Sequence, residues 1–236
     1  LFGAAVNSVS RDRELRIGFQ RFGNLGILKA RQSLEQAFAS RGVSVLWSEF
    51  PAGPQLLHAL ACDEIDFGTT GEAPPVFAQA SNGELVYVAW EPPAPQSVAM
   101  VVPQHSDIRT IADLRGKRIA LNKGSNVHWL LLHILEEAGL ALNDVKVVYI
   151  PPKYPLTASD YLAVDAWMMW DPLLSDAQRN GELRVLADGT GLGLRPLLLP
   201  DGFEGTPLRK SFVLASRATR PWPGGKEPGE GHSAKS

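Results

Sequence analysis

Ile119-Ala120-Leu121-Asn122-Lys123-Gly124-Ser125-Asn126-Val127-His128-Trp129 runs from an apolar strand, through a short polar turn, into the start of a helix. Asp66-Phe67-Gly68-Thr69-Thr70-Gly71-Glu72-Ala73-Pro74-Pro75 follows the same plan: strand, a turn rich in glycine and hydroxyls, then a proline-marked helix start. In α/β sheets such turns sit at the carboxyl ends of strands, where ligands bind. The first N–H groups of a helix lack intrahelical acceptors and carry partial positive charge, so they attract anionic oxygens. One such turn in each half of a molecule would grip a small anion from two sides. The plainer alternative is that Thr70, Ser125 and Asn126 only cap their helices.

The pattern around these turns fixes the fold class. Leu15 to Phe19 alternates as a half-buried strand, and Ile27 to Ser40 carries a helical face of Ile27, Leu28, Leu34, Ala37 and Phe38 before Gly42. Val43 to Trp47 is a second strand, Pro54 opens a helix, Ile65 to Phe67 is a short strand, and Pro74 to Ala80 is a short helix. Leu85 to Ala89 and Val98 to Val102 are apolar enough for strands buried on both faces. The pattern then restarts with a short helix at Thr110 to Leu114, a strand at Lys117 to Leu121 and a helix at Asn126 to Ala138 stopped by Gly139. A strand at Val145 to Ile150, a helix from Asp171-Pro172 to Asn180 and a strand at Leu183 to Leu186 complete the second round. Strands alternating with helices indicate α/β architecture with mainly parallel sheets. Two rounds predict a first lobe over 13–102, a second over 103–190 and a cleft between them. Residues 191–218 read as a return crossover, and the Pro- and Gly-rich stretch 219–236 as an irregular tail.

Length and composition agree. The chain has 236 residues, 44% of them apolar, with 23 Lys+Arg against 25 Asp+Glu for a net charge of −2. That balance gives no electrostatic reason for a nucleic-acid or polybasic membrane partner. A lone cysteine, Cys62, excludes an internal disulfide and a cysteine-rich zinc site. No apolar run is long enough to span a bilayer. Leu1 to Ser8 is small and apolar ahead of the polar stretch Ser10 to Glu14, which reads as the end of a removed secretory signal or as a frayed terminus.

Catalytic constellations are weak. His58 and Cys62 share a helical face, but a cysteine among Leu and Ala reads as a small core residue. His105, His128 and His133 lack metal-ligand spacing. Asp165-Ala166-Trp167-Met168-Met169-Trp170-Asp171-Pro172 is dense in Trp and Asp. Its tryptophans offer a broad apolar wall with an N–H at the edge, and Asp171 before Pro172 is also a good helix cap. Nothing places Asp165 and Asp171 across a shared substrate. Glu72 beside an anion site is repulsive unless it faces a cation such as Arg21 or Lys123, so it reads as a wall residue.

Leu15 to Gln20, Glu49 to Gln55, the Thr69-to-Pro75 turn, Val86 to Pro93, Lys123 to His128 and Asp165 to Pro172 together resemble the substrate-binding protein of bacterial aliphatic sulfonate ABC importers, over residues 13–192 and Ser211 to Ala218. Taurine-, nitrate- and thiamine-precursor-binding proteins are relatives with the same two-lobe, type II periplasmic-binding-protein fold. The resemblance implies a periplasmic binding protein without catalysis, metal or cofactor. Such a protein delivers an alkanesulfonate to a membrane permease and its ATPase for sulfur acquisition. It implies a sulfonate head against Gln20, Thr70-Gly71 and Gly124-Ser125-Asn126, with Trp167 and Asp171 on the facing wall; Phe22, Trp90, Trp167 and Trp170 are the residues available to line an apolar end of the cleft. Three other readings stand beside it: an enzyme similar to the thiamine-pyrimidine synthases, with His128 on the cleft-facing turn, a ligand-sensing or interaction module without transport, and a damaged copy that binds nothing.

The chain departs from the resemblance in three places. Pro155 disfavours an uninterrupted helix in Lys153 to Ala163. Extra Leu-, Pro- and Gly-rich sequence separates Gly193 from Ser211, and the irregular tail stands where the family continues with C-terminal helices. Those helices are missing from the pattern, which predicts an uncovered apolar face on the first lobe and reduced stability, unless Leu194 to Leu199 covers it.

Overall fold

The computed structural model describes residues 14–21, 23–81, 85–90, 94–150, 163–190 and 212–216. The expectations for the N-terminus, Phe22, the segment 153–162, the insertion 193–211 and the tail 219–236 lie outside these residues.

Two five-stranded sheets are formed. The first has the order β2 (Ser44–Phe50), β1 (Glu14–Gln20), β3 (Phe67–Thr70), β10 (Phe212–Ser216), β4 (Leu85–Trp90). The second has the order β7 (Lys146–Tyr149), β6 (Arg118–Leu121), β8 (Ala166–Trp170), β5 (Val98–Pro103), β9 (Leu183–Asp188). β1 pairs in parallel with β2 and β3, and β6 with β7 and β8. β10 is antiparallel to β3 and β4, and β5 to β8 and β9. In each sheet, therefore, every strand but one runs the same way. The reversed strands, β5 and β10, are those that enter a sheet after the chain has crossed from the other one. The fold is α/β with mainly parallel sheets and flanking helices.

The core follows from the strand patterns. α5 (Asn126–Glu137) lays Leu130, Leu131, Ile134 and Leu135 on Met100, Val102, Ile119, Leu121 and Met168 of the second sheet. α6 (Leu173–Arg179) covers the opposite face through Leu174 and Ala177. In the first sheet, Leu15, Ile17 and Phe19 of β1 face α1 (Asn24–Ala30) and α2 (Ser33–Ala39). Leu56, Leu57 and Leu60 of α3 (Gly53–Ala61) pack with Ile65 on the other side. The two sheets repeat one bracket. Arg16 N–H donates to Asp66 Oδ2 at 2.8 Å and Asp66 N–H returns to Arg16 O, while Arg118 N–H donates to Asp165 Oδ2 at 2.7 Å and Asp165 N–H returns to Arg118 O.

Several expectations are corrected. The helix expected over Ile27 to Ser40 is two short helices, because Gln32 sits at φ 53 and breaks the run. Leu28, Leu34 and Phe38 still face the core, but Ile27 and Ala37 are exposed. β4 is not buried on both faces. It is an edge strand, and Val86 and Val88 are 41% and 54% exposed. β5 pairs only within the second sheet, so the passage between sheets precedes Val98 rather than falling at 103. β8 is a full strand in what reads from sequence as a wall of aromatics, and Thr69 and Thr70 end β3 instead of lying in a turn. Cys62 ends α3 in an exposed position rather than in the core.

Candidate functional site

The carboxyl ends of β1 and β3 and the amino ends of α3, α4 (Ala73–Ala80) and α5 converge on a cavity of about 100 Å³. From the first lobe come Gln20, Ala52, Gly53, Thr70, Gly71 and Pro74; from the second come Ser97, Val98, Ser125, Asn126, Trp170 and Asp171. Of the candidate residues, Gln20, Thr70, Gly71, Ser125, Asn126 and Asp171 are therefore brought together. Glu72, Gly124 and Trp167 are not in the lining.

Each side chain is set by its element. Gln20 ends β1, and its Nε2 donates to Thr69 O at 3.2 Å. A carbonyl accepts only from the amide nitrogen, so this bond orients the side chain and leaves one further N–H on it. Thr70, the last residue of β3, is 1% exposed, and its Oγ1 has no hydrogen-bond partner. A buried hydroxyl without a partner is costly, and in a cavity wall it marks a place for a ligand atom. Gly53 leaves that hydroxyl room: a Cβ there would stand 2.0 Å from Thr70 Oγ1.

Helix capping explains only part of the pattern. No side chain caps the N-termini of α3, α4 or α5 from its own N-cap position. Ser125 Oγ donates to Asn122 O at 2.7 Å, so its proton is turned away from the cavity. Asn126 reaches across to the other lobe, where its Oδ1 accepts the Ala73 N–H of α4 at 3.0 Å. The approach is so close that a Cβ on Gly71 would meet that oxygen at 2.3 Å. Asp171 does cap: its Oδ1 accepts from Ser175 N–H at 3.1 Å and Ser175 Oγ–H at 2.6 Å.

The remaining candidates take other roles. Trp167 packs with Met169 on the α6 face of β8, while Trp170, of opposite parity, reaches the cavity. Asp165 and Asp171 bracket β8 from opposite ends, about 20 Å apart at strand rise, so they form no carboxylate pair. Glu72 is buried outside the lining, while Arg21 pairs with Glu49 at 3.4 Å and Lys123 lies over the Tyr149 ring. Gly124 takes φ +74, and its N–H donates to His128 Nδ1 at 3.1 Å. Sequence reasoning missed Gly53 and Ser97. Gly53 has a signal, since Ala52-Gly53-Pro54 after β2 is a third strand-to-helix turn; Ser97 has none. The side chain of Trp90 lies outside the described residues. Among the described residues no three His, Cys, Asp or Glu side chains gather to hold a metal ion, and no helix is long and apolar enough to cross a membrane.

His128 joins the lobes beside this cavity. Its ring stacks on Phe77 of α4 at 5.7 Å and meets Tyr149 of β7 edge-on. Burial, and secondarily the charge of Lys123, holds the imidazole below its ordinary pKa. Accepting from Gly124 also requires Nδ1 to be unprotonated. The folded state thus binds the proton less well than the unfolded chain. The stability due to neutral His128 is present above about pH 6.5 and is lost as pH falls through the lower folded value. Melting temperatures measured from pH 7.5 to 5 should fall more steeply in the parent than in His128→Gln. Parallel curves would exclude this linkage.

Comparison with known proteins gives consistent findings. Residues 38–181 match the family described as NMT1/THI5 like. An aliphatic sulfonates-binding protein of Escherichia coli (strain K12) is 45% identical over 190 residues, which is 80% of this chain and 59% of that protein. A Bacillus subtilis (strain 168) protein of the same description is 32% identical over 82% of this chain and 60% of its own length. The alkanesulfonate-binding protein SsuA from Xanthomonas axonopodis pv. citri, solved bound to MOPS, superposes with a TM-score of 0.75 at 43% identity, covering 87% of this chain and 66% of that one. The chain thus spans about three-fifths of the length of the curated relatives it matches.

Proposed function

This chain belongs to the NMT1/THI5-like family, and on that premise we propose that it binds aliphatic sulfonates in the cavity between its lobes and passes them to an ABC importer. The ligand is held and released unchanged, on the periplasmic side of the membrane, for a permease and its ATPase. The sulfonate class is carried over from relatives that are named for binding it.

The buried, unpartnered Thr70 hydroxyl carries the reading. Around it stand the second Gln20 N–H and the uncapped starts of α3 and α5, both good donors for an oxyanion. Neither lysine nor arginine lines the cavity among the described residues. Neutral donors stabilise an anion by hydrogen bonds and dipoles rather than by full charge, which suits a ligand that must leave again. Trp170 and Asp171 form the facing wall.

Calorimetric titration with ethanesulfonate, taurine, sulfate and nitrate tests the assignment. Sulfonate binding without turnover supports it, and silence from all four anions refutes it. Thr70→Val sharpens the test, because the change removes the hydroxyl and conserves shape. It should weaken ethanesulfonate binding by about 1.5–3 kcal/mol, the range for a hydrogen bond to a charged group, without lowering the melting temperature of the unliganded protein. Unchanged affinity would place the sulfonate elsewhere.

A further inference from the structure

We propose that Asn126 is the clasp between the two lobes rather than a contact for the ligand. Standing on α5 of the second lobe, it caps α4 of the first and so holds the lobes in the arrangement that encloses the anion. The proposal rests on the anion-pocket reading above and adds what keeps that pocket shut. α4 begins Ala73-Pro74-Pro75, and proline has no backbone N–H. Of its first three residues only Ala73 therefore has a donor to satisfy, and no side chain at the N-cap position satisfies it. Asn126 Oδ1 does so from the other lobe, at 3.0 Å. The start of α4 is thus poor in donors for an oxyanion, and the donor it has is taken.

The joint has a seat made for it. A Cβ on Gly71 would stand 2.3 Å from Asn126 Oδ1 and 2.6 Å from its Cγ and Nδ2, so the whole carboxamide rests on the Gly71 backbone. Gly71 is not among the glycines with positive φ. The close approach, and not a left-handed backbone, is therefore what calls for glycine there. One turn further along α4, Phe77 stacks on His128 of α5 with ring centroids 5.7 Å apart. The first turns of α4 and α5 thus meet through two side-chain contacts, and both exist only while the lobes are together. Gly71 and Asn126 directly follow Thr70 and Ser125 in the chain, and all four line the anion cavity. A head group that draws Thr70 and Ser125 together also seats the clasp. The clasp in turn raises the population of the form that binds.

The test compares the parent with Asn126→Ala, which removes the acceptor, and Gly71→Ala, which evicts it. A third variant, Asn126→Asp, keeps an acceptor for Ala73 but has no amide N–H to offer a ligand. Melting curves confirm that each variant folds. Hydrogen exchange of the Ala73 amide and the radius of gyration from small-angle scattering are read without ligand. In both alanine variants Ala73 should exchange about tenfold faster than in the parent, one helix cap's worth, and the radius of gyration should rise. Asn126→Asp should match the parent in both. Ethanesulfonate affinity, measured by calorimetry, should fall by about the same factor in the two alanine variants. Parent-like exchange and radius of gyration in Asn126→Ala overturn the clasp, and a loss of affinity without them returns Asn126 to the ligand contacts. If ethanesulfonate binds neither the parent nor any variant, the anion-pocket reading falls, while exchange and scattering still decide the clasp.

Discussion

Replacing Gly53 by alanine is expected to lower sulfonate affinity about a hundredfold. The new Cβ would stand 2.0 Å from Thr70 Oγ1, 2.8 Å from Pro74 Cγ and 3.2 Å from Pro74 Cβ. A proline ring cannot rotate away, and Thr70 is buried. The hydroxyl must therefore turn or the start of α3 must lift, and either movement removes a donor from the head group while the methyl takes up part of a cavity of about 100 Å³. Overpacking of this kind costs about 1–3 kcal/mol in stability, so the variant still folds. Gly23→Ala, where an added Cβ meets nothing within 4 Å, is the control and should bind as the parent does. Ethanesulfonate titration of the three proteins decides the matter: a Gly53→Ala affinity within a few-fold of the parent would remove the ligand from this cavity.

The same cavity shows what sequence can and cannot place. Thr70, Gly71, Ser125 and Asn126 are findable because each lies where a strand pattern gives way to a helix pattern, and such junctions collect at one edge of an α/β sheet; Gln20 rests on the family resemblance instead. The use each residue makes of that position was not findable. Asn126 looks like a cap for its own helix and instead accepts from α4 of the other lobe, a contact that exists only once the lobes meet. Trp167 and Trp170 are equivalent on paper. Strand parity, which needs β8 to be recognised as a strand, sends one to the α6 face and the other to the cavity.

At the level of the fold, β1, β5, β6 and α5 were legible because burial imposes their periodicity. β8 was obscured by side chains that attract a chemical reading, and β10 by its place beyond the insertion after Gly193. The break at Gln32 has no glycine or proline to announce it. The apolar run of β4 was read as doubly buried because composition cannot distinguish an edge strand from a central one.

Leu56→Ala is expected to be the most destabilising of the substitutions considered, at about 2–5 kcal/mol. Leu56 is 0% exposed and joins α3 to the first sheet. It fits because the strands beneath it carry no side chain: a Cβ on Gly68 would meet Leu56 Cδ2 at 2.8 Å, and one on Gly18 would meet Leu56 Cγ at 3.2 Å. The backbones of β1 and β3 are paired at those two glycines, so the surroundings have little freedom to collapse into the void left by alanine. For a chain of this size the loss corresponds to a fall of roughly 4–20 °C in melting temperature. Leu132→Ala on α5, where the side chain is 37% exposed, should change it far less. The consequence reaches the site, because α3 is the helix whose first residue is Gly53. A loosened α3 displaces the Gly53 edge of the cavity, so Leu56→Ala should also weaken sulfonate binding below its own melting transition, where Leu132→Ala should not. Melting curves and titrations of both variants at one temperature separate these effects. Normal affinity in a strongly destabilised Leu56→Ala would show that the position of α3 is set by the contacts of its N-terminus and not by its packing on β1 and β3.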